Sequence, residues 1–293
     1  MSYRPPPSAA LLRRRPVRSL LSPLRERGFT YEAYGALLDR LRQVRVVPLR
    51  ELEESEGGDL PVVGLRHDVD SRLESALVLA RMEAGRGLRA TYFVLHTAPY
   101  YDRSTGLAGA LRELQELGHE VGLHSDLVTL ELARGLDPRW VLARELEWLR
   151  REGLEIVGVA GHGSYEARKH GFLNHLFFSD LPARAPRFPN NDVGLRGEKL
   201  DASGLTRGTL AEFGLRYDAD FLDNDSYFAD SYFDERGRRW HPDGFDPSHL
   251  PPGSKAILLT HPCHWDASLP AKVGRVWQRG GSALLRRGGS EAE

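Results

Sequence analysis

Four short stretches of the chain carry imidazole, two of them with carboxylate, one between glycines and one with a second histidine: Arg66-His67-Asp68-Val69-Asp70, His124-Ser125-Asp126, Gly161-His162-Gly163-Ser164 and His261-Pro262-Cys263-His264-Trp265. Nitrogen and oxygen donors of this kind suit zinc and similar divalent ions, and a catalytic ion of that type takes three protein ligands and keeps one position open for water. The chemistry this predicts is metal-assisted hydrolysis. Taken singly, each stretch has a plainer explanation. Asp68 or Asp70 would cap a helix beginning near Leu73, and an isolated histidine is more often a satisfied core or surface residue than a ligand. Each stretch, however, follows an apolar run that reads as a strand, and that shared position argues for one site.

Those runs alternate with helical patterns. Phe29 precedes a helix with Thr30 as cap and Tyr34, Leu37, Leu38 and Leu41 on one face. Strands are predicted at 61–65, 90–95, 119–123, 154–160 and 255–260, where β-branched and aromatic residues cluster. Between them, Leu73, Leu77, Ala80 and Ala84, then Leu107, Leu111, Leu114 and Leu117, then Val141, Leu142, Leu146 and Leu149, recur at helical spacing. Asp137 and Pro138 open the last of these helices. Alternation of this kind implies a parallel sheet, open or closed into a barrel, with ligands gathered at the carboxyl ends of its strands. From Pro182 to Gly204 the chain reads as a long loop; 216–220 and 226–230 read as returning order.

Composition sets the frame. The 293 residues carry 40 Lys+Arg against 41 Asp+Glu, 41% hydrophobic residues and one cysteine, Cys263. Collagen-like, disordered and membrane-spanning chains are excluded, and a single cysteine forms no internal disulfide. Residues 1–27 hold seven Arg and one acid, net +6, which leaves −7 for the rest. Only four basic residues are Lys, so Arg is this chain's default cation and the arm reads as a poorly ordered tail rather than a nucleic-acid site. Pro16, Arg18, Pro23 and Arg25 interrupt it before an apolar signal-peptide core of about 7 residues can form, so a cytoplasmic protein is expected. The division predicted is a disordered basic arm (1–27), one domain (28–275) and a flexible tail (276–293).

In its motifs the sequence resembles the polysaccharide deacetylases of carbohydrate esterase family 4, in particular the branch whose first motif reads Arg-His-Asp-Val-Asp. The matching segments are 65–70 with the helix at Leu73, Glu74, Ala76 and Leu77, then 90–93, 118–124 and 260–265. The resemblance implies an α/β fold, a distorted (β/α) barrel of about seven parallel strands, and hydrolysis of an N-acetyl group on an amino sugar. It also implies a divalent metal, zinc first, and a small-molecule or oligosaccharide substrate. Carried over residue by residue, it makes Asp68 the base, Asp70 and His124 metal ligands, and His261 the acid beside the leaving group. Arg66 would hold Asp68 ionised.

The departures are specific. Val69 separates two aspartates that are adjacent in the familiar motif, so the roles of Asp68 and Asp70 could be exchanged. Val128 stands where the family has a further histidine, so a third ligand must come from elsewhere. His162 is the choice, between two glycines at a strand end, with His119 and His96 as competitors; strand alternation sets His119 and His124 on opposite faces. Arg187-Phe188-Pro189 resembles the family's third motif, and Asp230-Ser231 with Arg239-Trp240 a segment of the branch. Trp265 and Trp240 could stack on a sugar ring, but core packing is the more frequent place for tryptophan. Cys263 is expected to be a small buried filler, and His241 and His249 are assigned nothing. Two other functions are compatible with the same residues: hydrolysis of another carbon-nitrogen bond, such as a ureide or cyclic amide, and a non-catalytic saccharide binder.

Overall fold

The computed structural model describes residues 29–55, 58–185, 197–231 and 240–265. The arm at 1–27, Arg187-Phe188-Pro189, Arg239 and the tail at 276–293 lie outside the described residues.

Eight strands form one sheet in which every pairing between them is parallel: β1 (Arg45–Val47), β2 (Val62–Val69), β3 (Thr91–Leu95), β4 (Glu120–Ser125), β5 (Gly158–Gly161), β6 (Tyr217–Asp218), β7 (Ser226–Ala229) and β8 (Lys255–Thr260). Seven of them follow the order β6-β5-β4-β3-β2-β8-β7 in a curled sheet, an α/β fold consistent with a distorted barrel. Along one edge β2 pairs first with β1, at Val62 to Gly64, and then with β3, at Arg66 to Val69. All eight residues of β2 are buried, as expected of a central parallel strand covered on both sides.

The helices are α1 (Tyr31–Leu41), α2 (Leu49–Leu52), α3 (Leu73–Ala84), α4 (Leu107–Glu116), α5 (Leu127–Arg134), α6 (Pro138–Arg151) and α7 (Tyr165–Lys169). Thr30 caps α1 by accepting from the Ala33 N–H at 3.2 Å, and Asp137 caps α6 ahead of Pro138. The plainer reading of Asp68 or Asp70 as the cap of α3 does not hold. Arg72 occupies that position in the left-handed conformation, and neither Asp68 nor Asp70 serves it, because both belong to β2 and its exit. The short strand β1 and the helices α2, α5 and α7 were not anticipated. Leu127, Val128 and Leu130 of α5 follow β4 with only Asp126 between strand and helix.

Period-two alternation sorts the strand side chains. Val63, Leu65 and Val69, Tyr92 and Val94, Val121 and Leu123, Val159, Ala256 and Leu258 join the main core with the helices. Val62, Phe93, Ala160, Tyr217 and Ile257 pack on the other face, closed off by Leu49 and Leu52 of α2. Three glycines make room there. A Cβ on Gly64 would lie 2.6 Å from Leu49 Cδ2, one on Gly122 2.4 Å from the Phe93 ring, and one on Gly158 2.3 Å from Tyr217 Cζ.

The same alternation separates the histidine of the first motif from its aspartates. His67 points into the helix-facing core, with Nδ1 2.7 Å from Thr260 Oγ1 and Nε2 2.9 Å from the fully buried Glu83. Glu83 also accepts from the hydroxyls of Tyr34 and Tyr92. Arg66 and Asp68 point the other way.

Candidate metal and catalytic centre

The parallel register brings the carboxyl ends of the strands to one rim. Asp68 pairs with Phe93, Leu95 with His124, His124 with Ala160, and His67 with Thr260, the residue before His261. At that rim one ligand atom from each of Asp70, His124 and His162 lies within 4.8 Å of the others, a grouping able to hold a metal ion.

The local chemistry prepares these atoms. His124 Nδ1 sits 3.0 Å from the Ala160 carbonyl, which can only accept, so that nitrogen carries a proton and Nε2 is left for a ligand. Nε2 lies 3.3 Å from Asp70 Oδ1 and 3.7 Å from Asp68 Oδ2. Asp70 Oδ1 is buried with no hydrogen-bond partner, a cost that is compensated where a cation binds. The His124 side chain is 3% exposed, those of Asp70 and His162 35% and 23%, so the group is walled on one side and open on the other. The donor set, with the orphaned Asp70 oxygen, fits a divalent ion.

Asp68 is held differently. Arg66 grips it through Nε to Oδ1 at 2.8 Å and Nη2 to Oδ2 at 2.9 Å, and reaches Asp220 Oδ1 through Nη1 at 2.6 Å. Burial opposes a charge on Asp68, but Arg66, with His124 and His261, outweighs it and keeps the carboxyl below its usual range. Asp218, in the same neighbourhood, goes the other way: burial and the charge of Asp220 push it well above the usual carboxylate value.

His261 continues β8. Its Nδ1 is 2.6 Å from Asp230 Oδ1, and its backbone N–H donates to Asp230 Oδ2 at 2.8 Å. Burial works against protonating His261, yet Asp230, aided by Asp70 and Asp68, raises its pKa to about 9. His264 Nδ1 approaches the same carboxylate at 3.0 Å. These three residues also satisfy the loose geometry of a metal group. The 2.6 Å contact is that of a charge-assisted hydrogen bond, however, which makes the cluster a carboxylate with two imidazoles on it.

The competing ligands are placed elsewhere. His119 accepts from the Ala90 N–H at 3.2 Å and meets the Ala80 carbonyl through Nε2 at 3.0 Å, so both its nitrogens are used in the core. His96 Nε2 accepts from the Asp126 N–H at 2.9 Å, and burial pushes its pKa down to about 4. Val128 is fully buried in the helix-facing core, which explains why no histidine stands there.

The surroundings follow the core reading of the tryptophans and correct that of the cysteine. Trp265 is fully buried, edge-on to Phe29 and Tyr34 at 5.0 and 4.8 Å, and Trp240 is half-buried against Phe245. Cys263 is half-buried rather than buried, and burial raises its pKa to about 11, so it is a neutral thiol. His249 is exposed and His241 packs edge-on to Phe29, both away from the groups above.

Asp220 had been given no role, and Asp230 none beyond its place in a segment of the branch. Both follow short strands, β6 with its 3-10 turn and β7, so the rule that singled out the other clusters, reading what comes after each strand, reaches them too. In overall trace the chain is similar to the structure of a family 4 carbohydrate esterase from Bacillus anthracis, with 14% identity, 83% of this chain and 85% of that one covered, and a TM-score of 0.32. It is also similar to the chitin deacetylase from the fungal pathogen Colletotrichum lindemuthianum, with 19% identity, 80% and 86% covered, and a TM-score of 0.36. No family model matches the chain, and no curated protein matches it. Residue roles therefore rest on the geometry above.

Proposed function

We propose that the protein is a metal-dependent hydrolase that removes an N-acetyl or other N-acyl group from an amino sugar or related saccharide. One observation carries this reading: a three-residue ligand group, Asp70, His124 and His162, shares a rim with an ionised carboxylate, Asp68, and a histidine, His261, held protonated by Asp230. An amide resists water because its carbonyl is a weak electrophile and its amine a poor leaving group. A divalent ion in this group, zinc first, would polarise the carbonyl and acidify water. Asp68 takes the proton of the attacking water, the acyl carbon gains that oxygen, and the carbon-nitrogen bond breaks as His261 protonates the departing nitrogen. Products are a carboxylate and a free amine.

The orphaned Oδ1 of Asp70 beside His124, set against the two-point grip of Arg66 on Asp68, supports Asp70 as ligand and Asp68 as base rather than the exchange. The sugar half of the substrate rests on the sequence motifs.

The test compares metal content and turnover in the whole protein. His124→Ala should lose the divalent ion, and full occupancy in that variant sinks the ligand assignment. Asp68→Asn should keep the ion and lose roughly 10²- to 10⁴-fold in turnover; unchanged turnover removes Asp68 as base. A panel of N-acylated amino sugars against ureides and cyclic amides decides the bond. Cleavage of the latter alone replaces the substrate class, and a saccharide bound without turnover of either makes the protein a binder.

A further inference from the structure

With Val128 sealed in the core, the third ligand comes from a different strand, and it arrives with its own scaffold. We propose that Asp126 is the positioning residue of His162, orienting the imidazole and fixing its tautomer for the metal; this rests on the metal-centre reading above.

Asp126 stands in the N-cap position of α5, where its side chain would ordinarily accept from the first turn and contribute about 1 kcal/mol. It makes no such bond. Its carboxylate turns to the rim instead: Oδ2 accepts from Thr97 Oγ1 at 3.0 Å, Oδ1 accepts from Asn174 Nδ2 at 3.0 Å, and His162 Nδ1 lies 3.4 Å from the same Oδ1. The cap is given up for bonds to Thr97 and Asn174, and these hold Oδ1 facing His162.

The surroundings hold both partners. The Asp126 N–H donates to His96 Nε2 at 2.9 Å, which fixes the backbone and explains where His96 is used. Asn174 cannot flip, because its Oδ1 accepts from the Thr129 N–H at 3.1 Å while Nδ2 donates both to Asp126 and to the His162 carbonyl at 2.7 Å. The His162 N–H donates to the Ser125 carbonyl at 2.8 Å. Gly161 lets the backbone of Asn174 and His175 pack close, since a Cβ there would lie 3.0 Å from the His175 amide nitrogen. His162 Nδ1 is buried with no other hydrogen-bond partner, and the Asp126 carboxylate 3.4 Å away is the acceptor beside it. With the proton on Nδ1, Nε2 keeps its lone pair for the ion, and the ring stands 5.1 Å from that of His124.

The experiment titrates metal-free protein with cobalt(II) and reads the affinity and visible spectrum of the complex. Asp126→Asn should weaken binding about 10- to 100-fold and alter the spectrum, while in a His162→Ala background the same change should cost nothing further. Wild-type affinity in Asp126→Asn, or an equal loss in both backgrounds, overturns the inference. Should Asp126→Asn fail to fold, Thr97→Val carries the same cycle: a loss present with His162 and absent without it supports the role, and equal losses refute it. Failure of the underlying reading shows separately, as cobalt binding unchanged by His124→Ala.

Discussion

The acid of the proposed reaction is defined by one contact, the 2.6 Å bond from His261 Nδ1 to Asp230. A residue that must give up a proton works only while it holds one. With the pKa of His261 raised to about 9, the protonated form persists through neutral pH and is lost as pH rises through that value, so kcat/KM should fall on an alkaline limb near it. Asp230→Asn removes the charge that does the raising and leaves the burial that opposes it. The limb should then move down toward the ordinary histidine value of roughly 6.5 or below, with most of the rate at about pH 8 lost. A limb that stays in place in the variant would take the acid role away from His261. Asp68, whose carboxyl is held low by Arg66 against burial, remains ionised across the same range and contributes no limb there.

Strands do the positioning, and they do it by parity. Residues 66, 68, 122 and 124 share one face with Phe93 and Tyr217, so the same period that packs the interior aims the reactive groups. Gly122 is where the two demands meet, two residues before His124 and under the Phe93 ring. A methyl group there would lie 2.4 Å from that ring, and relief requires the ring or the strand to move. Gly122→Ala should destabilise the fold by about 1–3 kcal/mol in urea denaturation, and Phe93→Leu in the same chain should recover part of the loss. An alanine variant as stable as the parent would mean that Phe93 yields freely and that β4 is not held by it.

At the scale of the molecule, a bound ion would cross-link β2, β4 and β5 at their carboxyl ends through Asp70, His124 and His162. Binding to the folded chain alone stabilises it by mass action, about 2.7 kcal/mol at 100 times the dissociation constant. Zinc added at that excess should raise Tm by several degrees, a chelator should reverse the rise, and His124→Ala should abolish it. An equal rise in parent and variant would place the ion elsewhere. No helix among the described residues is long and apolar enough to cross a membrane.

What could be read in advance follows from locality. The helices at 31–41, 73–84 and 138–151 and the strands at 91–95 and 255–260 announce themselves because periodicity and caps are properties of neighbouring residues. The strand-end clusters were legible for the same reason, and alternation alone set His119 apart from His124. The helix α5 was not, because it starts one residue after β4, with only Asp126 between them and no Gly or Pro to separate strand from helix. Nor were the pairings that give the centre its chemistry: Arg66 with Asp220, Asp126 with His162, and Asp230 with His261 join residues far apart in the chain, and one-dimensional spacing carries no information about them. The sequence by itself determined the α/β alternation and the residue types at each strand end. Tertiary structure alone decided which carboxylate faces which imidazole, because that depends on the order and register in which the strands pair.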